Sequence, residues 1–408
     1  MWRSRRLIQT LTQPEERVHP GVDFVELRLD LYPELDSMSF IARCPKPIIV
    51  TVRRVADGGA FEGSESARER LFKTASGAAL CDIEVDADPT LVPKGVPRIV
   101  SAHDTTGMPD DLDALFERCL VRGGDVVKIA ATPASCADAF RLLALPTPGI
   151  GMGPFGTFTR VLAPWTYCAA TPAAPGMPTP QDLLDVFRVR RLGASPALLG
   201  VAGDPIEHSR SPHLWNAAFA RAERNAVYVR FRVSNLAAFW PVFVAHGGVA
   251  LSVTAPLKKQ AAAIATAPAA EVTRCGAANT LLADGRAYNT DYRALLELVP
   301  AGRGNALVMG AGGAARAAVA ALADRGYDVA VWNRTPERAA ALGAPVAREL
   351  SAAPVLVNTT PLEPPPGPFV VDLRYGAGID PPARGVGGLA FLEAQARHQY
   401  QLVTGDEM

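Results

Sequence analysis

The chain has 408 residues, 49% of them apolar and 20% charged, with 41 basic side chains balancing 41 acidic ones. That length exceeds one ordinary core and predicts two or three domains, and the neutral balance speaks against nucleic acid or an anionic membrane as a partner. The six cysteines (Cys44, Cys81, Cys119, Cys136, Cys168 and Cys275) include no CxxC pair, which argues against a disulfide framework or a zinc site and predicts a reducing, cytoplasmic setting. The basic N-terminus carries no apolar signal core, and the Ala-rich runs are broken by charges and prolines before they reach the length of a membrane span.

In chain order, residues 1–193 hold eight strand-like runs: "RLIQTL", "FVELRLD", "PIIVTVR", "CDIEVD", "RIVSAHD", "VVKIAAT", a stretch around "GIGMG" and another around "WTYCAA". Helical spacing separates several of them, as in "DDLDALFERCLVRG" and "SCADAFRLLAL". Eight alternating β and α signals predict an α/β fold, a parallel (β/α)8 barrel, trimmed enough that some outer helices are short or absent. "LGASPALLG" reads as a linker, and a fresh strand, "ALLGVAG", opens an alternation that runs to about Pro300. A second alternation starts at "NALVMGAGGAARAAVAAL", and the tail "GGLAFLEAQARHQYQLVTG" has helical spacing and is expected to pack back on an earlier domain. The expected division is 1–193, then 198–300 together with a returning segment 386–408, then a nucleotide-binding unit over 301–385.

The strand ends of the first part are rich in ionisable groups. Side chains two apart share a strand face, so "VELRLD" aligns Glu26, Arg28 and Asp30, and "CDIEVD" aligns Asp82, Glu84 and Asp86. Arg53, His103 and Arg160 stand at other strand ends, and the C-terminal mouth is where barrels of this kind carry their chemistry. Lys128, inside an apolar β-branched run, has two readings. It either snorkels to water, or sits in an apolar cavity beside other cations as an amine able to form an imine with a ketone. In the second reading His103 is the acid/base that moves the adjacent proton, and the arginines receive a carboxylate.

The motifs "VELRLD", "TVRRVADGG", "SAHD", "GGDVVKIA" and "RVLAP", in this order, resemble the type I 3-dehydroquinate dehydratases, Schiff-base barrels of the shikimate pathway. The resemblance implies Lys128 as the imine-forming residue and His103 as the acid/base. It also implies Glu26, Arg28, Arg53 and Arg160 as substrate-site residues, with Arg160 on the carboxylate. Three positions depart from the pattern: Asp57 precedes Gly58 and Gly59 where Glu is usual, and Ala173 and Met177 replace Ser and Gln of a lid segment.

In the second part, Gly310, Gly312 and Ala315 fit the G-x-G-x-x-G/A fingerprint between a strand and a helix, and Gly313 and Ala314 lie within it. After the next strand come Asn333, Arg334 and Thr335, with Arg338 one turn on, where an NAD-preferring site would have an acid. A cation and a hydroxyl there suit the 2′-phosphate of NADP; the alternative is a solvated surface arginine. "HSRSP", "T-x-P-x-K", "AxNT", "NTD", "VNTTPL", "VVDLRY" and "GGLAFLEAQ" resemble shikimate dehydrogenase over 198–408, a two-domain unit with a Rossmann domain. The resemblance implies Ser209 and Ser211 on the substrate carboxylate, Thr254, Asn279 and Gln395 on ring hydroxyls, and Tyr375 nearby. It implies Lys258 and Asp291 as the catalytic pair.

Taken together, the two resemblances imply consecutive steps, 3-dehydroquinate to 3-dehydroshikimate to shikimate with NADPH, as in plant bifunctional and fungal pentafunctional chains. A non-catalytic barrel attached to a shikimate or quinate dehydrogenase is the alternative. The expected partners are these small molecules, and the sequence is silent on oligomeric state.

Overall fold

The computed structural model describes residues 5–171 and 176–408, and the chain forms two compact units, residues 1–194 and 195–408. The first is built on eight parallel strands: β1 Arg6–Thr10, β2 Phe24–Arg28, β3 Ile48–Thr51, β4 Leu80–Glu84, β5 Arg98–Asp104, β6 Val126–Ala131, β7 Gly149–Gly151 and β8 Trp165–Cys168. They follow the order β7-β6-β5-β4-β3-β2-β1-β8 in a near-closed barrel. The outer helices are α1 Ser37–Arg43, α2 Glu65–Lys73, α3 Leu112–Val121 and α4 Cys136–Leu143, followed by the single turns α5 Gly153–Gly156 and α6 Thr159–Leu162. Among the described residues no α-helix joins β1 to β2 or β4 to β5, which is how the barrel is shortened.

The alternation of strand side chains sorts the barrel into an outer and an inner set. Val25, Leu27, Val50, Cys81, Ile83, Val100, Val127 and Ile129 pack outward against Phe72, Leu112 and Leu142 of the helices. Ile8, Ile49, Leu80, Ile99, Val126, Trp165 and Tyr167 form a separate inner cluster. Two residues further along the same strand faces the inner layer turns polar, with Glu26, Thr51, Asp82, Ser101 and Lys128, all buried. An apolar floor under a charged layer puts the ionisable groups at the strand C-termini.

The second unit contains two sheets. The first has the order β10-β9-β11-β13-β14-β12, from β9 Ala197–Gly203, β10 Ala226–Arg232, β11 Gly248–Val253, β12 Ala267–Pro268, β13 Thr280–Leu282 and β14 Arg286–Tyr288. Its helices are α7 Ser211–Arg221, α8 Leu236–Ala245, α9 Lys258–Ile264, α10 Ala270–Cys275 and α11 Thr290–Leu298. The second sheet is all parallel, ordered β16-β15-β17-β18-β19: β15 Gly304–Met309, β16 Tyr327–Trp332, β17 Val355–Asn358, β18 Phe369–Asp372 and β19 Gly385–Val386. α12 Gly313–Asp324 and α13 Pro336–Ala340 follow β15 and β16. Among the described residues no helix forms between β17 and β18, where five prolines (Pro361, Pro364, Pro365, Pro366 and Pro368) remove donors and fix φ, nor between β18 and β19.

The C-terminal helix α14, Gly388–Thr404, returns to the first of these sheets. Its Tyr400 packs on Trp215 and Phe219 of α7, with ring centroids 5.5 and 5.9 Å away, and Trp215 stacks on Tyr228 at 4.9 Å. Among the described residues no helix is long and apolar enough to cross a membrane.

Candidate active sites

In the barrel, neighbouring strands bring their polar layer to one point. The Lys128 ammonium lies 3.0 Å from Asp82 Oδ2 and 3.8 Å from Glu26 Oε1, and 3.9 Å from the centre of the Tyr167 ring. Its setting is therefore not the apolar cavity beside cations that the sequence suggested. Two carboxylates and an aromatic face enclose it, because β2 and β4 present acids at the level where β6 presents the lysine. Lys128 does not snorkel: it is 6% exposed.

Asp82 is held by several partners. Arg53 Nη2 lies 2.8 Å from its Oδ1, and Ser101 Oγ donates to the same oxygen at 2.6 Å. Burial alone would raise its pKa, but the charges of Arg53, Lys128 and His103 hold the carboxyl well below the usual range. Arg53 also donates to Glu84 at 3.2 Å and to Ser101 at 2.8 Å, and Glu84 in turn accepts from the fully buried Arg68 of α2. Glu26 is fixed by the hydroxyls of Thr10 at 2.6 Å and Thr51 at 2.9 Å. Arg28 forms a two-pronged bond with Asp30 (2.8 and 2.6 Å), whereas Asp86 faces solvent beside Arg54.

Arg160 is 5% exposed and donates weakly to the Tyr167 carbonyl at 3.4 Å, with no carboxylate partner among the described residues. Burial pushes its pKa down to about 10. A buried guanidinium in that condition can pair with an anion.

His103 lies on the strand beside Lys128, on the same face: Ser101 pairs with Lys128 and His103 with Ala130. Its Nδ1 is sealed from solvent without a hydrogen-bond partner. A cavity of about 430 Å³ lined by His103, Asp104, Thr105, Thr106, Leu115 and Ile129 adjoins it between β5, β6 and α3. Burial first, then the charges of Arg53 and Lys128, push the imidazole well below its ordinary pKa, outweighing the attraction of Asp82. The imidazole therefore favours its neutral form.

The sign of the accompanying pH effect follows. An unfolded histidine gains its proton near pH ~6.5, but the folded one resists it, so stability is lost as pH falls through ~6.5 toward the lower folded value. The melting midpoint of His103→Asn is expected to fall less steeply than that of the native chain between pH 7 and 5, as followed by circular dichroism. Parallel curves would contradict the assigned neutral state.

Asp57, which replaces the usual Glu, bonds Arg54 Nε at 2.8 Å. Met177 is partly buried against the inner apolar cluster, so thioether packing replaces an amide there. Ala173 lies outside the described residues.

The second unit builds its site around Asn289, which caps α11 by accepting from Tyr292 N at 3.1 Å and anchors to the Ala277 carbonyl at 2.8 Å. That cap places Asp291, 1% exposed, in the first turn. Its Oδ2 accepts from Lys258 and its Oδ1 from Asn279 Nδ2 at 2.9 Å. Asn279 also receives Thr290 N at 2.7 Å, and its carbonyl is held by Gln399 Nε2 at 3.0 Å. Gln395, one turn before Gln399 on α14, is half-buried.

Ser209 and Ser211 are both buried with their hydroxyls 3.3 Å apart, and Arg230 fixes the Ser209 carbonyl at 2.9 and 2.6 Å. Tyr375 reaches Ser209 and the Arg210 backbone, and burial raises its pKa. Thr254 closes the end of β11, its backbone amide bonded to the Ala202 carbonyl at 2.9 Å. Lys258, Asp291, Asn279, Ser209, Ser211, Thr254, Tyr375 and Gln395 are thus placed on α7, α9, α11, α14, the segment before β13 and the loops after β9, β11 and β18.

Beside this group lies the glycine loop. Gly310 has φ +111°, and a Cβ there would lie 2.3 Å from Thr359 Oγ1, so only glycine fits. Gly312 caps α12, followed by Gly313, Ala314 and Ala315, and a Cβ on Gly312 would meet nothing within 4 Å. That open space before unpaired helix amides suits a pyrophosphate. β16 runs parallel beside β15, with Met309 opposite Trp332, and so sets Asn333, Arg334 and Thr335 next to the loop. Arg334 and Thr335 are exposed, and Arg334 has no carboxylate partner among the described residues. These residues fit a dinucleotide with a 2′-phosphate.

Five polar residues around the sites were missed from sequence: Ser101, Tyr167, Arg68, Gln399 and Tyr228. Strand parity could have found the first two, since Ser101 lies two before His103 and Tyr167 two after the inward Trp165. Arg68 and Gln399 sit at unremarkable helix positions, and only tertiary packing gives them partners.

Comparison with known proteins adds a further finding. A family model described as type I 3-dehydroquinase matches residues 4–193, and one described as shikimate dehydrogenase substrate binding domain matches residues 201–281. The chain is 32% identical over 371 residues to the bifunctional 3-dehydroquinate dehydratase/shikimate dehydrogenase of Arabidopsis thaliana, across 78% of this chain and 62% of that one. It is 30% identical to the shikimate biosynthesis protein AroDE of Chlamydia pneumoniae, across 79% of this chain and 73% of that one. With the shikimate dehydrogenase (NADP(+)) of Moorella thermoacetica it shares 35% identity, across 52% of this chain and 90% of that one. The chain therefore spans less than two thirds of the plant relative's length.

Proposed function

The chain belongs to the family of shikimate biosynthesis proteins that join a type I 3-dehydroquinase unit to a shikimate dehydrogenase unit, and from that premise we propose that it catalyses both steps. Residues 1–193 dehydrate 3-dehydroquinate to 3-dehydroshikimate. Residues 198–300 with the returning segment 386–408 bind that product, and residues 301–385 bind NADP(H) for its reduction to shikimate. The setting is cytoplasmic, and the partners are these small molecules.

In the first site the Lys128 amine adds to the substrate ketone, and loss of water leaves an iminium. Asp82 and the Tyr167 face balance its positive charge at the positions they hold around Nζ. His103, neutral, takes the proton from the carbon next to the iminium. It returns that proton to the departing β-hydroxyl, so water leaves and the base is reset. Hydrolysis of the conjugated iminium frees Lys128. Arg160, a buried cation in need of an anion, holds the substrate carboxylate, while Glu26, Arg28 and Arg53 line the same mouth.

In the second site Ser209 and Ser211 donate to the carboxylate, and Thr254, Asn279 and Gln395 address the ring hydroxyls, with Tyr375 alongside. Bound NADPH supplies a hydride to the ketone carbon. Lys258 gives a proton to the ketone oxygen as negative charge develops there, and Asp291 orients it. Gly310, Gly312, Gly313 and Ala314 would hold the pyrophosphate of the nucleotide, and Asn333, Arg334 and Thr335 its 2′-phosphate.

The observation that carries the dehydratase assignment is the convergence of Lys128, Asp82, Glu26 and Tyr167 at the barrel mouth. Borohydride added with 3-dehydroquinate is expected to inactivate dehydration and leave a covalent adduct on the Lys128 peptide, read by mass spectrometry. An unmodified Lys128 peptide after turnover would rule the imine out.

A further inference from the structure

The glycines after β15 are glycines for different reasons. Gly310 is required by its positive φ and by Thr359, and Gly312 leaves open space. Gly313, the first residue of α12, has neither property. A Cβ built on it would lie 2.6 Å from Lys258 Cβ, 2.9 Å from Cδ and 3.1 Å from Cγ. The lysine thus lies lengthwise across the first residue of the nucleotide helix. Its carbonyl is fixed by Ala278 N at 2.9 Å, and its ammonium by Asp291.

From this contact we infer that Gly313 is a positioning residue for Lys258: the first turn of α12 is the seat that keeps the lysine stem aligned and its ammonium on Asp291. The inference rests on the reading of Lys258 as the proton donor and of α12 as the nucleotide helix. The nearest atom to an added methyl is Lys258 Cβ, one bond from the backbone. A rotamer change at the ammonium end therefore cannot make room, and helix and lysine must part. Alanine is otherwise the better helix former, so helix propensity alone predicts no harm.

The test uses Gly313→Ala in the full chain, with Gly312→Ala as its counterpart. Three quantities are read: acetylation of Lys258 by acetic anhydride in the nucleotide-free protein (peptide mass spectrometry), the NADPH Kd by fluorescence, and kcat for 3-dehydroshikimate reduction. For Gly313→Ala the expected result is acetylation faster by roughly threefold or more and, at saturating NADPH, kcat lower by about tenfold or more. In a Lys258→Ala background Gly313→Ala should cost no further kcat, because the ammonium whose placement it disturbs is gone. Gly312→Ala should weaken NADPH and leave Lys258 acetylation unchanged. An equal kcat loss in the Lys258→Ala background, or a Gly313→Ala chain with weakened NADPH and unchanged acetylation, would overturn the inference. A native chain that fails to reduce 3-dehydroshikimate at all would instead sink the functional reading on which it rests.

Discussion

Lys128→Ala is expected to lower dehydration by on the order of 10⁴-fold or more while reduction of 3-dehydroshikimate stays at the native rate. The size follows from losing the covalent step itself, not one contact among several. The substitution is also safe for the fold. Asp82, which faces Lys128 at 3.0 Å, keeps Arg53 at 2.8 Å and Ser101 at 2.6 Å, and Glu26 keeps Thr10 and Thr51. No buried carboxylate is orphaned, the event that makes removal of one ion-pair partner costly. The selectivity follows from the division of the chain, since Lys128 belongs to the compact unit 1–194 and Lys258 to 195–408. Steady-state rates for each half-reaction, with a melting curve as control, check it; loss of both activities in a folded variant would contradict independent sites.

Asp291→Asn is the converse, with reduction expected to fall by about 10²–10⁴-fold and dehydration unchanged. The buried carboxylate now serves two donors, with Oδ2 on Lys258 and Oδ1 on Asn279 Nδ2. An amide of the same shape offers one acceptor oxygen and one donor. It can satisfy Lys258 or Asn279, not both, and it removes the charge that orients the ammonium. The loss should lie mainly in kcat, because the serines that receive the carboxylate, Ser209 and Ser211, stand on a different element. A change confined to KM would mean that Asp291 binds substrate and does not serve the lysine.

Much of this arrangement is legible in the sequence because its signals are local. Strand periodicity and turn chemistry gave the eight barrel strands and the trimmed helices. The Gly310–Gly312–Ala315 spacing sits, as read, between β15 and α12. What the sequence could not give was the company each group keeps. From sequence Lys128 either snorkels to water or sits among apolar groups and cations, and neither reading contains the two acids, Glu26 and Asp82, that enclose it. Those acids come from β2 and β4, and the stagger of neighbouring strands that brings them level is a property of the assembled barrel sheet. Arg68 is the clearest example. On α2 it shares the face of Leu71 and Phe72, three and four residues on, yet a cation there gives no sign of its partners: it is fully buried on Glu84 and the Val52 carbonyl at 2.9 Å, bracing the Arg53 layer from outside the barrel.

The most direct test of the central claim, two working sites in one chain, is NADPH oxidation by the purified protein given 3-dehydroquinate alone, with 3-dehydroshikimate in parallel. Loss of NADPH with both substrates is the predicted result, because the ketone reduced in the first case exists only if the barrel has made it. Loss with 3-dehydroshikimate alone would contradict the account and leave the Lys128 cluster without a catalytic role.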